Sequence, residues 1–149
     1  QWARMYPDSM PAGTNPPPAP EHLSSAAFAK LGLPFSEMVR LGDTLYLSGQ
    51  MGTLPGTLTL APGGIRAEAE QALRNIESAL AAQGCTLDQV VKCTVMLADM
   101  GDWPAFNEIY TRFFLPPYPA RSAFGANGLA LGGRLEIEAI ASATRPTTT

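Results

Sequence analysis

Apolar residues recur every three or four positions across RAEAEQALRNIESALAAQG, residues 66–84, where Ala69, Ala72, Leu73, Ile76, Ala79 and Leu80 form one stripe. That period predicts an amphipathic helix with the stripe turned to a core. Gly84 stands where a left-handed residue closes such a helix, and Thr86 to Gln89 has capping-box spacing for a short turn beyond it. WPAFNEIYTRFF (103–114) repeats the period with Trp103, Phe106, Ile109, Tyr110 and Phe113, and Asp102 with Pro104 marks a helix start. Elsewhere the period falls to two. In EMVRLGDTLYLSGQ (37–50), Val39 and Leu41 precede Gly42-Asp43, and Leu45 and Leu47 follow, which predicts a β-hairpin. VVKCTVMLAD (90–99) reads as a buried strand. RSAFGA (121–126) and GRLEIEAIAS (133–142) read as two more, joined around Asn127-Gly128, and HLSSAAF (22–28) as a short first strand. MGTLPGTLTLAPGG (51–64) is a Gly- and Pro-rich loop.

The predicted order is β-β-β-α-β-α-β-β. Strands cluster instead of alternating strictly with helices, which predicts an α+β fold. Two helices cover one face of a single sheet, so the other face, with its apolar side chains, predicts oligomerisation. Residues 1–20 hold six of the chain's 14 prolines and read as an N-terminal extension, with Trp2, Met5 and Tyr6 as candidate anchors. The domain then runs over residues 21–143, and 144–149 form a polar tail.

With 149 residues the chain fits one domain and buries enough surface to need no metal or disulfide. Ten basic and 13 acidic residues give a net charge of −3, with no Lys/Arg cluster. Nucleic acid and anionic membrane are therefore poor partners, because phosphate binding needs concentrated positive charge. No apolar run is long enough to span a bilayer. Cys85, Cys93 and the single His22 make a poor metal set, and both cysteines read as small buried hydrophobes. The chain starts at Gln1, which predicts a processed or trimmed product and leaves a periplasmic or secreted location open.

Candidate chemistry begins with PPYPARSAFG, residues 116–125. Its prolines stiffen the approach to a strand and fix the position of Arg121, whose planar fork matches a carboxylate bidentately. On the residue alone, a structural salt bridge is the stronger reading. Glu136 and Glu138 lie two apart on the last strand, so they share a face opposite Leu135, Ile137 and Ala139. That pair suits a solvated face as well as a site. Ser48 has no histidine base nearby in sequence, which argues against a serine-hydrolase triad. Asn107 reads as an exposed polar residue of the aromatic helix.

YLSGQ (46–50), GGI (63–65), QALRNIESAL (71–80), DQVVKCTVMLADM (88–100), WPAFNEIYTRFF (103–114), PARSAF (119–124) and LEIEAIA (135–141) together resemble the RidA family, also called YjgF/UK114, from about residue 22 to 142. The resemblance implies a chorismate-mutase-like fold in a homotrimer, with three sheets forming a barrel and clefts between subunits that bind small carboxylates. It implies hydrolysis of enamine/imine intermediates such as 2-aminoacrylate to 2-oxo acids and ammonia, without a cofactor, and a cytoplasmic location by family default. By the same resemblance, Arg121 matches the arginine that grips the substrate carboxylate. Glu136 matches the glutamate at the reacting water. Ser48 and Gly49 match cleft-lining residues, and Asn107 a polar residue of the nearby helix. Two positions depart from the pattern: Phe35 replaces the archetypal tyrosine, and Ala123 the cysteine of many members.

Three functions follow for testing. The first is an enamine/imine deaminase. The second keeps the fold but acts on another unsaturated amino acid, aminomuconate-like. The third is a non-catalytic carboxylate-binding or chaperone-like trimer. Family members have also been described as ribonucleases, a role that the acidic balance of this chain disfavours.

Overall fold

The computed structural model describes Gly13 and residues 16–144. The expected anchors Trp2, Met5 and Tyr6, most of the N-terminal extension, and the tail from residue 145 lie outside the described residues. The elements are β1 (Glu21–Leu23), α1 (Ala26–Ala29), β2 (Met38–Leu41), β3 (Thr44–Gln50), α2 (Gly64–Ala81), β4 (Val90–Leu97), α3 (Trp103–Phe113), β5 (Ala120–Gly125) and β6 (Leu135–Ser142). The six strands form one sheet in the order β1-β2-β3-β6-β4-β5. Every neighbouring pair is antiparallel except β4 and β5, which α3 connects in parallel. The architecture is α+β, as the clustering of strands predicts.

Alternation along the strands divides the sheet into a wet and a dry face. Leu45 and Leu47 of β3, Cys93, Val95 and Leu97 of β4, and Leu135, Ile137, Ala139 and Ala141 of β6 are buried. They meet the stripe of α2, including Leu73, Ile76 and Leu80, and Phe106, Ile109 and Tyr110 of α3. Burying each large apolar side chain contributes about 1.5–3 kcal/mol, so this layer supplies most of the stability. Both cysteines are free and buried within it. Tyr46 and Phe124 remain exposed large apolar residues of the sheet.

Two local expectations are corrected. Residues 22–28 are not a continuous strand: β1 stops at Leu23, and Ala26–Ala29 makes one helical turn capped by Ser25, whose Oγ accepts the Phe28 N–H at 3.1 Å. Alanine-rich sequence favours helix once a serine supplies that cap. Asp102 precedes α3 but makes no capping hydrogen bond. Its carboxylate is held instead by the fork of Arg134, Nε donating to Oδ2 at 3.0 Å and Nη2 to Oδ1 at 3.2 Å. The capping box at Thr86 and Gln89 is present, and Gly84 has φ 71°.

The chain leaving β3 is pressed against α2. A Cβ at Gly52 would lie 2.5 Å from the Glu68 carbonyl oxygen and 2.6 Å from its Cα. Both are backbone atoms of a helix and cannot swing aside. Gly52→Ala is therefore expected to destabilise the fold by about 1–3 kcal/mol, read as a lower denaturant midpoint at unchanged slope. An unchanged midpoint would mean that strand end and helix separate freely.

Candidate active site

The pairing of β3 with β6 contains one irregularity. Leu47 pairs with Ala139 and Gln50 with Ile137, so three steps on β3 oppose two on β6. The extra residue is a bulge at Ser48–Gly49, a feature that bends a strand and re-aims side chains. Glu136 lies against this bulge. A Cβ on Gly49 would fall 2.8 Å from Glu136 Cδ and 2.9 Å from Cγ. Glycine is needed here for space: its φ is not in the left-handed range. The carboxylate of Glu136 makes no hydrogen bond or ion pair with any described residue.

β2 begins at Met38, opposite Leu47, so the last residues of β3 have no strand on that side. A cavity of about 460 Å³ opens there, with Phe28, Phe35, Gly49, Leu58, Leu131 and Glu136 among its walls. Phe35 is 49% exposed and packs its ring edge-on against Phe28 at 5.7 Å. Asn75 of α2 fixes the neighbouring loop, donating from Nδ2 to the carbonyls of Met51 at 3.0 Å and Thr53 at 2.9 Å. Ser48 is not part of this wall. Its Oγ donates to the Ser36 carbonyl at 2.6 Å, which ties the bulge to the segment before β2.

Arg121 occupies a different place. β5 is the sheet's outer strand, with Arg121 opposite Cys93. Its guanidinium carbon lies 4.7 Å from the ring centre of Tyr110, 5.0 Å from that of Trp103 and 5.8 Å from that of Phe106. Nη1 donates to Asn107 Oδ1 at 2.9 Å. All four partners belong to α3, so the aromatic stripe that forms core also forms the nest of the arginine, a second role that helical periodicity does not reveal. Among the described residues Arg121 makes no ion pair with a carboxylate. Ala123 follows two residues on, half-buried against the core.

Two groups in this nest are kept neutral. Burial pushes the Cys93 thiol up to about 11, against smaller opposing pulls from the Tyr110 hydroxyl and the Arg121 charge. Burial also raises the Tyr110 phenol. Its hydroxyl has no nitrogen or oxygen partner. Fully buried and protonated at neutral pH, Cys93 has the character of an inert structural thiol.

One chain therefore brings Glu136, Gly49 and Phe35 together, and Arg121, Asn107 and Ala123 together, but not the two sets. Glu136 pairs with Met96 and Met96 with Phe124, three residues along β5 from Arg121. Two strand spacings and three residues of rise separate the α-carbons of Glu136 and Arg121 by about 14 Å. Their side chains also leave opposite faces of the sheet.

The family model described as Endoribonuclease L-PSP matches residues 26–143. The chain is 48% identical over 108 residues to a protein from the goat Capra hircus named 2-iminobutanoate/2-iminopropanoate deaminase, covering 72% of this chain and 79% of that one. A human protein of the same name is 45% identical over the same length and shares of each chain. Among solved structures, RidA from an Antarctic Psychrobacter superposes with a TM-score of 0.72 at 35% identity, over 86% of this chain and 99% of that one. TdcF from E. coli, solved with bound serine, gives 0.70 at 33% identity, over 74% and 88%. The order of elements, the motifs of the sequence and these likenesses agree: the chain belongs to the Endoribonuclease L-PSP family, the RidA family that its sequence resembles.

Proposed function

We propose that this protein hydrolyses reactive 2-imino acids to 2-oxo acids and ammonia at a site shared by two copies of the chain, in a homotrimer. The observation that carries the reading is the state of Arg121. A guanidinium held by aromatic faces and one neutral amide, with no carboxylate of its own, is a prepared receptor for the carboxylate of a ligand. The names of the mammalian relatives supply the reaction class, and the bound serine of TdcF is a small carboxylate-bearing molecule of the kind required. The placement of Arg121 and Glu136 on opposite faces of the sheet, with α-carbons about 14 Å apart, supplies the need for a second copy, since one small substrate cannot reach both groups of a single chain. The uncovered sheet face, with Tyr46 and Phe124 exposed, offers a surface on which copies can associate.

In this reading Arg121 of one copy clamps the substrate carboxylate, with Asn107 keeping the fork in register. Glu136 of the neighbour holds a water at the imine carbon. As the water oxygen bonds to that carbon, Glu136 takes its proton and the C=N electron pair moves onto nitrogen. Glu136 hands that proton to nitrogen, giving a carbinolamine. It then takes the remaining hydroxyl proton and passes it to nitrogen as the oxygen's electrons close the C=O bond and the C–N bond breaks, so both water protons leave on ammonia. One water is consumed and one ammonia released. A protonated imine is already an activated electrophile, so positioning and one acid–base group suffice. Gly49 fixes where the Glu136 carboxylate stands, and Ser48 acts indirectly by anchoring the bulge.

An RNA-cleaving role is disfavoured by the net charge of −3, which gives phosphates no concentrated positive surface. A coupled assay with a threonine dehydratase tests the reaction class: the protein should accelerate 2-oxo acid release. No acceleration, with 2-oxo acid binding intact, would leave a carboxylate-binding trimer instead.

Arg121→Ala and Arg121→Lys are expected to lower kcat/KM about a hundredfold or more, because a charge-assisted pair in a partly desolvated cleft is worth roughly 2–5 kcal/mol and lysine lacks the second parallel donor. Glu136→Gln should act mainly on kcat. Glu138→Gln, exposed two residues along β6, should leave both constants near wild type. Wild-type kinetics in folded Arg121→Lys would contradict the clamp.

Gly49→Ala should reproduce the Glu136→Gln defect, with kcat reduced about tenfold or more, because the added methyl displaces the carboxylate that Gly49 accommodates. A crystal structure of the variant should show Glu136 in another rotamer. Unchanged kcat with a moved Glu136 would remove that glutamate from the mechanism.

A further inference from the structure

We infer that the cavity beside Glu136 is a subsite for the side chain of the substrate, and that it selects 2-imino acids with large apolar side chains, branched aliphatic or aromatic. This rests on the proposed imine hydrolysis and adds the substrate class. Once the carboxylate is clamped and the imine carbon faces the Glu136 water, the remaining substituent on that carbon is the side chain. The space next to Glu136 is the 460 Å³ cavity. Cavities of roughly 300–1,000 Å³ suit ligands far larger than the methyl or ethyl group of 2-iminopropanoate or 2-iminobutanoate.

The walls match an apolar occupant. Phe28, Leu31, Leu33, Phe35 and Leu58 surround it. Several hydrogen-bonding groups of the lining are committed elsewhere, since Asn75 holds loop carbonyls and Glu37 Oε1 accepts the Ser25 N–H at 3.2 Å, while Gln50, Thr53 and Ser78 add polar groups beside the apolar wall. Phe35 adds a half-exposed ring with no hydroxyl to that wall. Leu131 adds an independent sign. It has φ 61°, a left-handed conformation costly for leucine, and it is 50% exposed on the cavity wall. Gly128, Gly132 and Gly133 lie nearby in the same loop and would take such a conformation with less strain. That strained backbone presents an apolar side chain to the cavity, where strain of this kind accompanies functional positions.

The test uses the full chain and two readouts. In the first, imines generated in situ from leucine, phenylalanine and alanine by an amino-acid oxidase are followed by semicarbazide trapping. kcat/KM should favour the leucine- and phenylalanine-derived imines by about tenfold or more over the alanine-derived one. The second is calorimetric binding of the products, in which 4-methyl-2-oxopentanoate and phenylpyruvate should bind more tightly than pyruvate by a similar factor. Ser78→Phe, on the exposed side of α2 where it lines the cavity, should lower the large-to-small ratio in both readouts. Leu131→Gly should lower it too while holding or raising the melting temperature, since glycine relieves the backbone and a merely structural leucine would leave the ratio alone. Preference for the alanine-derived imine and for pyruvate, or a ratio indifferent to both substitutions, would overturn the inference, as when a neighbouring copy fills the cavity. Binding preference for the larger products without hydrolysis of any imine would uphold the subsite and overturn the proposed reaction instead.

Discussion

Successive side chains of a β-strand leave opposite faces of the sheet, and that alternation governs where every functional group of this protein lies. On β6, Leu135 and Ile137 are sealed into the core, so Glu136 between them must point away from it. On β5, Arg121 stands beside buried Cys93 and must point toward α3. No rotamer change brings the two onto one face. The fold thus divides the chemistry in two, one part at the β3 bulge and one at the outer strand. The local exception to alternation on β3, the extra residue at Ser48–Gly49, is where the Glu136 carboxylate finds its space.

The same layer that stabilises the domain prepares its arginine. Phe106 and Tyr110 are core residues of α3, and their outer ring surfaces, with Trp103, receive the guanidinium. Aromatic faces attract a cation without neutralising it, and Asn107 accepts one of its N–H groups while remaining uncharged. A carboxylate in Asn107's place would satisfy the arginine internally and remove its value as a receptor. Burial keeps the adjacent thiol of Cys93 and phenol of Tyr110 protonated, so neither supplies a competing negative charge.

The long elements were legible in the sequence because their periods are unambiguous: the stripe of α2, the alternation in β6 and the Gly42-Asp43 hairpin each point to one structure. Residues 22–28 were not, since Ser25 chooses between strand and turn only through its hydrogen bond to Phe28. Asp102 read as a cap because nothing local reveals Arg134, which lies on the far side of β5 in sequence and takes its carboxylate. Arg121 and Glu136 drew notice through residue type and family likeness. Their separation did not, because it depends on β4 lying between β5 and β6. The role of Gly49 was likewise hidden: a glycine required for space has the same letter as one required for a turn. Leu131 gave no signal at all, since its positive φ is a property of the folded loop.

Complementation between two inactive variants tests the division of the site most directly. Arg121→Ala and Glu136→Gln, unfolded together in equal amounts and refolded, would form mixed oligomers. With random assembly about a quarter of the sites would pair an intact Arg121 with an intact Glu136 of the neighbouring copy. The account predicts that imine hydrolysis returns to about a quarter of the wild-type rate in the mixture, while each variant refolded alone stays inactive. A mixture as inactive as its components, with mixed oligomers demonstrated by mass spectrometry, would contradict a site shared between copies.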